Sequence, residues 1–539
     1  MAVKVDLLIK NGTVYDGTGA EPFEADIGVA GDKIAFINKV SGVRCRVSNT
    51  RGEKTIDAKG LAVAPGFIDT HAHSEFTLIA DPRAEGKLLQ GITTEINGNC
   101  GLSAAPLYGE ALEHREKDLA ELGIKERWST FEEYFRILEG REIALNFVTL
   151  AGHGNIRASV IGYKDKKPTA SELKKMQALS QKTIDAGAIG LSTGLIYPPG
   201  IYSDTEELVS LAKCFSKDRL IYTSHMRSEG KNLIESINEI ICIGKEANIK
   251  VHISHIKTSG KENWDKINEA IVLIEDAKRK GIRITCDRYP YTASSTDLDT
   301  ILPSWTYDGG TEKELRMLKN PEMREKIKKE ILHGHPDNDY WTKVSVSSVS
   351  SKKNKWMEGK TLAFISERIN IKPVDALFKI LIEEKLRAGA IFSSMSEDNL
   401  KRFLSLPYAM IGSDSSARSR TGLTCKGKPH PRGFGSFPRF LGKYVRDGKL
   451  MSMSEAVHKI TMLPARTFGI NGRGVLKKGA FADIVVFDPE RIIDRATFDK
   501  PFLKSVGIHY VIVNGLPEVA KGEITGATGG EILRSQGYY

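Results

Sequence analysis

Residues 65–73 read Pro65-Gly66-Phe67-Ile68-Asp69-Thr70-His71-Ala72-His73, a short apolar run that opens on a Pro-Gly break and runs out into polar residues. That is the pattern of a buried strand leading into a loop. Counting 64–73, eight stretches of this texture lie along the chain, the others at 93–100, 145–152, 188–194, 220–225, 251–255, 282–289 and 409–414. Helical periodicity fits between them, for example over 171–186 and 231–247. Short buried strands alternating with helices specify βα units on a parallel sheet. Eight such units close into a (β/α)8 barrel of the TIM type, an α/β fold. In that architecture functional side chains gather at the C-terminal ends of the strands, which is where the unusual polar residues of this sequence fall.

With 539 residues the chain exceeds what one core normally holds, so the barrel needs a companion. Apolar and polar residues alternate at 6–10 and 25–29, with glycines as turn punctuation, and the same texture returns only at 482–487 and 509–515. Both termini are therefore expected to build one small β-sandwich domain, from 1–61 and 475–539, around a barrel at 62–474. About 120 residues separate the seventh strand from the eighth, far more than one helix requires. Part of this stretch, 297–351, with Trp305, Tyr307 and Gly309-Gly310, is expected to form a lid over the barrel mouth.

Bulk composition narrows the classes. Hydrophobic residues make up 40% and charged residues 27%, ordinary for a soluble globular protein, and no run approaches the ~18 apolar residues of a membrane span. The first residues lack a secretory pattern, so a cytoplasmic location is expected. The formal charge is +10, but the lysines are spread along the chain instead of clustering with aromatics, which argues for a solvated basic surface and against a nucleic-acid partner. Six cysteines without framework spacing point to reduced thiols, so a special one is a ligand or a nucleophile.

The chemistry concentrates at strand ends. His71 and His73 stand at i and i+2, on one face of a strand and about 6.6 Å apart along it, so together they can grip a metal ion. An isolated His-x-His also arises by chance. His225 closes Ile221-Tyr222-Thr223-Ser224-His225 and His255 closes Val251-His252-Ile253-Ser254-His255, so two successive strands end in the same Ser-His pair. Neutral imidazole is a common zinc ligand, and separate strands each supplying one histidine is how a barrel brings ligands to its axis. His252, three positions before His255, points to the opposite face and reads as a satisfied wall residue. Asp414 ends Met410-Ile411-Gly412-Ser413-Asp414, where it can bind metal, accept a proton, or simply cap a turn. Cys100, in the glycine-rich stretch Asn97-Gly98-Asn99-Cys100-Gly101, either offers a thiolate to zinc or packs as a structural cysteine.

Taken together, several motifs resemble the amidohydrolase superfamily and, within it, the N-acyl-D-amino-acid deacylases (D-aminoacylases). They are residues 65–73, Gly91-Ile92-Thr93-Thr94 with Gly98-Asn99-Cys100-Gly101, Gly152-His153-Gly154, GLSTGLIYPPG at 190–200, 254–257, YPYTASS at 289–295 and PHPR at 429–432. The resemblance runs nearly end to end. It implies zinc-dependent hydrolysis of the amide of N-acyl-D-amino acids, small-molecule substrates, on a barrel with a β-sandwich domain. It also implies one zinc held tightly by Cys100, His225 and His255, with His71, His73 and Asp414 as a second, weaker half. Many relatives bridge two metals through a carboxylated lysine on strand four; 188–194 contains none, and Cys100 stands in its place. Asp414 would be the catalytic proton shuttle, and Tyr197, Lys257, Tyr289, Ser295 and Arg432 would surround the substrate, Lys257 and Arg432 suiting its α-carboxylate. Two positions depart from the family: Ser74-Glu75 follow His73 where two aspartates are usual, and Ser415 follows Asp414 where glycine is usual. The Arg418-Ser419-Arg420 stretch adds charge near the mouth, which either favours acidic side chains or has no role. Competing readings are a hydantoinase- or dihydroorotase-like enzyme, a D-peptide-cleaving enzyme, and a metal-free scaffold, which would have eroded ligands.

Overall fold

Eight parallel strands form the centre of the molecule: Phe67–Asp69 (β1), Ile92–Asn97 (β2), Asn146–Thr149 continued by Ala151–Gly152 (β3), Gly190–Gly194 (β4), Ile221–His225 (β5), Lys250–Ile253 (β6), Ile284–Arg288 (β7) and Ala409–Ile411 (β8). This is a computed structural model, and it describes residues 4–39, 51–217 and 219–535; Cys45 lies outside them. Pairing runs in parallel from β1 to β8 in chain order. The seam between β8 and β1 closes through the Ala72–Ser415 bridge and through Asp414 N donating to His71 O at 2.8 Å. Every residue of β1 to β5 is buried, as expected for strands covered on both faces.

Helices return the chain between strands. Ala170–Asp185 starts on a capping box, in which Thr169 accepts from the Glu172 N–H and the Glu172 side chain accepts from the Thr169 N–H. Its buried residues Met176, Ser180 and Thr183 recur at helical spacing. Leu233–Glu246 likewise buries Leu233, Ile237, Ile240 and Gly244 on one face. Among the described residues, no helix is long and apolar enough to cross a membrane, and the five described cysteines are free.

Strands from both termini share one nine-stranded sheet. Lys4–Val14 forks it, pairing in parallel with Arg51–Asp57 along its first part and with Ala62–Pro65 near its end. Leu7, Ile27, Val63, Ile484 and Ile512 lie in the apolar core this creates. Ala62–Pro65, expected in the barrel, belongs to this sheet, since it also pairs with Ile484–Phe487. The chain enters β1 only after Gly66. At the other end residues 530–535 leave the small sheet and run under the barrel, with Phe147 N donating to Glu531 O and Ser535 N to Gly187 O.

The insertion between β7 and β8 is larger than the expected 297–351. Ser294–Asp297, Gly389–Phe392 and Val344–Ser348 form a three-stranded antiparallel sheet in that order. Helices Gly310–Lys319, Pro321–Gly334, Leu362–Arg368 and Pro373–Glu383 accompany it. Leu298, Trp341, Val346, Leu377 and Ala390 give it a core separate from that of the barrel.

Candidate metal centre

Five strands deliver the chemistry, and most do so just beyond their last paired residue. β1 stops at Asp69 because the Asp69 carboxylate accepts the His71 N–H at 3.2 Å, a turn that bends the chain out of the strand. His71 and His73 therefore sit past the strand and not within it, yet their rings lie 5.2 Å apart. Cys100 follows β2 in the left-handed region at φ 53°, as do His255 after β6 at φ 35° and Asp414 after β8 at φ 49°. Such backbone conformations persist only where the surrounding structure enforces them. One enforcing contact is the approach of the Cys100 loop to β4, where a Cβ added at Gly194 would lie 2.1 Å from Cys100 O. His225 is the last residue of β5 itself.

These groups converge. Cys100 Sγ lies 3.3 Å from His71 Nε2 and 3.6 Å from His255 Nε2. Asp414 Oδ1 is 3.3 Å from His73 Nε2 and 3.7 Å from His71 Nε2, while its Oδ2 is 2.8 Å from Arg432. The His225 and His255 rings meet edge to face at 4.4 Å, and neither nitrogen of His225 has a hydrogen-bond partner among the described residues. Three overlapping trios hold their donor atoms within 4.8 Å of one another: His71, Cys100 and His255; His71, His73 and Asp414; His225, Glu229 and His255. A buried cluster of imidazoles, a thiol and carboxylates, with an orphaned imidazole among them, is a donor set that suits zinc.

Electrostatics fit that chemistry at three positions, whereas at His71, His73 and His255 burial is outweighed by neighbouring acidic groups, which hold the rings above their usual value. Burial alone would raise the Cys100 thiol, but His71, His225 and His255 push it well below its usual value, into the thiolate form that binds metal. Burial also opposes ionisation of Asp414, and Arg432 followed by His73 overcomes it, holding the carboxyl well below the ordinary range. Burial pushes His225 down, favouring the neutral ring a metal requires.

The sequence singled out neither Asp287, inside β7, nor Glu229, in the loop after β5. Asp287 accepts the His255 N–H at 2.6 Å, and its Oδ2 lies 2.9 Å from His252 Nε2 and 3.4 Å from His71 Nδ1. His252 is thus satisfied as expected, since Thr285 lies 2.8 Å from its other nitrogen, but it does not face away from the site, because it shares Asp287 Oδ2 with His71. Glu229 lies 2.7 Å from His255 Nδ1 and pairs with Lys257. The only available signal was a carboxylate four residues after a strand-ending histidine.

Tyr289 lies between cations, with Arg432 4.7 Å, Arg288 4.2 Å and the Lys257 ammonium 5.8 Å from its ring centre, and its buried hydroxyl has no partner. Tyr197 packs edge-on to His225 at 5.1 Å and shares a 2.9 Å hydrogen bond with Thr296 of the insertion sheet. The Ser295 hydroxyl donates to Ala390 O within that sheet, and Ser295 O accepts from Arg432. The departures after His73 and Asp414 anchor loops: Glu75 Oε1 accepts the Gly98 N–H, Ser74 Oγ accepts that of Ala417, and Ser415 O accepts that of His73. Arg420 is paired with Glu85 and Glu523, and Arg418 donates to Thr424 O.

Residues 54–213 and 394–517 match the amidohydrolase family. An N-acyl-D-glutamate deacylase of Alcaligenes xylosoxydans xylosoxydans is 34% identical over 517 residues, spanning 96% of this chain and 94% of its own. A D-aminoacylase of the same organism is 35% identical over 528 residues, 98% of this chain and 97% of its own. The crystal structure of N-acyl-D-glutamate deacylase from Bordetella bronchiseptica, complexed with zinc and a phosphonate mimic of the tetrahedral intermediate, superposes with a TM-score of 0.82 at 34% identity. That match covers 99% of this chain and 100% of the other. On this fold, this donor set and these matches, the chain belongs to the amidohydrolase family.

Proposed function

We propose that this protein is a zinc-dependent deacylase that hydrolyses the amide of N-acyl-D-amino acids to a carboxylate and the free D-amino acid. The observation that carries the reading is the pairing, in one barrel mouth, of a metal-type donor cluster with a tyrosine whose ring is flanked by cations and whose buried hydroxyl has no partner among the described residues. Cys100, His225 and His255 would hold one zinc tightly, and His71, His73 and Asp414 would form the weaker half. Zinc bound there supplies an acidic water at neutral pH and a Lewis acid for the amide carbonyl. Asp414, ionised beside Arg432, accepts the proton of the attacking water and returns it to the amide nitrogen as the C–N bond breaks, so the amine leaves neutral.

The Tyr289 hydroxyl, with Lys257 and Arg432 flanking its ring, suits the α-carboxylate of the substrate. Tyr197 and the Ser295–Thr296 edge of the insertion would close the side-chain space. With carbonyl and carboxylate both held, inverting the α-carbon swings the side chain into the place of hydrogen, so the site discriminates between hands. Similarity to the D-aminoacylase and the D-glutamate deacylase supports D as the accepted one. The test is metal analysis of purified protein together with amine release from matched N-acetyl-D- and N-acetyl-L-amino acids, including Met, Leu, Phe, Glu and Asp. Stoichiometric zinc with turnover of the D-series is expected. Equal rates on both hands, or turnover of hydantoins alone, would overturn the substrate assignment.

A further inference from the structure

His255 Nδ1 has two competing neighbours. Glu229 Oε1 lies 2.7 Å from it and Lys257 Nζ 2.8 Å from it, and the Lys257 ammonium is also in contact with Glu229. On the other side of the ring Nε2 faces Cys100 Sγ at 3.6 Å. An imidazole nitrogen can serve as a metal ligand only through its lone pair, so ligation through Nε2 requires the proton on Nδ1. An ammonium has donors and no acceptor. Left alone beside Nδ1, Lys257 would donate to the lone pair there and drive the ring proton to Nε2, the tautomer that cannot ligate. A carboxylate reverses this, because it accepts from Nδ1–H and from the ammonium at once.

We propose that Glu229 is the positioning residue of the metal centre, setting the His255 tautomer by accepting both from Nδ1–H and from the Lys257 ammonium that stands beside the same nitrogen. The inference rests on the reading of His255 as a zinc ligand. The double variant Glu229→Ala/Lys257→Met distinguishes it from the alternative in which Glu229 is itself a ligand, as the trio of His225, Glu229 and His255 would allow. A lost ligand cannot be restored by removing a lysine. A tautomer imposed by that lysine can.

The full-length, zinc-loaded protein and the variants Glu229→Ala, Lys257→Met and Glu229→Ala/Lys257→Met would be titrated against a chromophoric chelator to read zinc affinity. Glu229→Ala is expected to weaken zinc by about 10- to 100-fold, the scale for loss of an outer partner of a ligating histidine. Lys257→Met should bind as the parent does, and the double variant should recover most of the lost affinity. Parental affinity in Glu229→Ala, or a double variant no tighter than Glu229→Ala, overturns the proposal. Should Glu229→Ala fail to fold, Glu229→Leu with and without Lys257→Met gives the same ordering, since leucine fills the space without an acceptor. Failure of the deacylase reading would appear separately, as parental protein that binds zinc without releasing amine from the D-series, and would leave these affinities unchanged.

Discussion

Two clusters of buried charge lie close together where β1 meets β8, and they differ in one respect. Beneath the mouth, Lys87 Nζ is 2.8 Å from Asp69, 2.5 Å from Glu95 and 2.9 Å from both Ser413 Oγ and Ser415 O. The Lys87, Asp69 and Glu95 side chains are fully buried, and Asp69 also accepts the N–H groups of His71 and Ser413. Lys87 spends its donors inside this cluster, although Glu95 Oε2 keeps no hydrogen-bond partner among the described residues. In the mouth, by contrast, His225 and Tyr289 keep buried polar atoms without partners, and Cys100, His255 and Asp414 occupy left-handed backbone. Residue types overlap between the two clusters, so type does not separate structure from function. What separates them is that the lower network spends its donors internally, whereas the upper one keeps strain and open valences for a ligand.

Four substitutions break or sharpen that contrast. Cys100→Ala should release the zinc proposed at Cys100, His225 and His255 and abolish turnover, as read by metal analysis and amine release; stoichiometric zinc with near-parental rate would make the cysteine structural. Lys87→Met should leave two carboxylates buried without their cation and lower stability by about 3–5 kcal/mol in urea unfolding, while the folded fraction keeps its zinc. Zinc lost at unchanged stability would show that the seam belongs to the mouth. Asp414→Asn should keep the zinc assigned to Cys100, His225 and His255 while kcat falls by at least ~10²-fold, the usual scale for a general acid–base group. Loss of both together would make Asp414 chiefly a ligand.

The smallest effect concerns a buried carboxyl with no cation in contact. Glu518, in the small sheet, accepts from the Gly529 N–H at 2.6 Å, and burial pushes its pKa up to about 7. The folded state thus binds more protons than the unfolded one between about pH 4.5 and 7, so this group's contribution to stability falls as pH rises through that window. Glu518→Gln should therefore stabilise the protein by about 1–3 kcal/mol at pH 8 and not at pH 4.5, measured by denaturation at both values. No gain at pH 8 would mean that the carboxylate is compensated.

The eight strands and their strand-end histidines could be read because both signals are local: burial periodicity in the one case, residue chemistry beside a turn in the other. His225 and His255 illustrate this, each closing its own apolar run. The full extent of the insertion could not be read, since Val344–Ser348 and Gly389–Phe392 pair only across tens of residues of intervening chain. Ala62–Pro65 was assigned to the barrel because its apolar run is continuous with that of β1, and only its partners place it in the small sheet. The family resemblance implies Lys257 and Arg432 beside the substrate, but not that Glu229 and Asp414 hold them. Glu229 carries only its place four residues after His225, and Asp287 carries none, as a lone carboxylate looks the same whether it faces water or a histidine. By itself, then, the sequence determined the barrel, its candidate ligand types and the strand ends near which they stand. Tertiary structure alone decided which charges meet, because a Coulomb or hydrogen-bonding partner depends on distance between elements, whereas sequence spacing reports only distance along one.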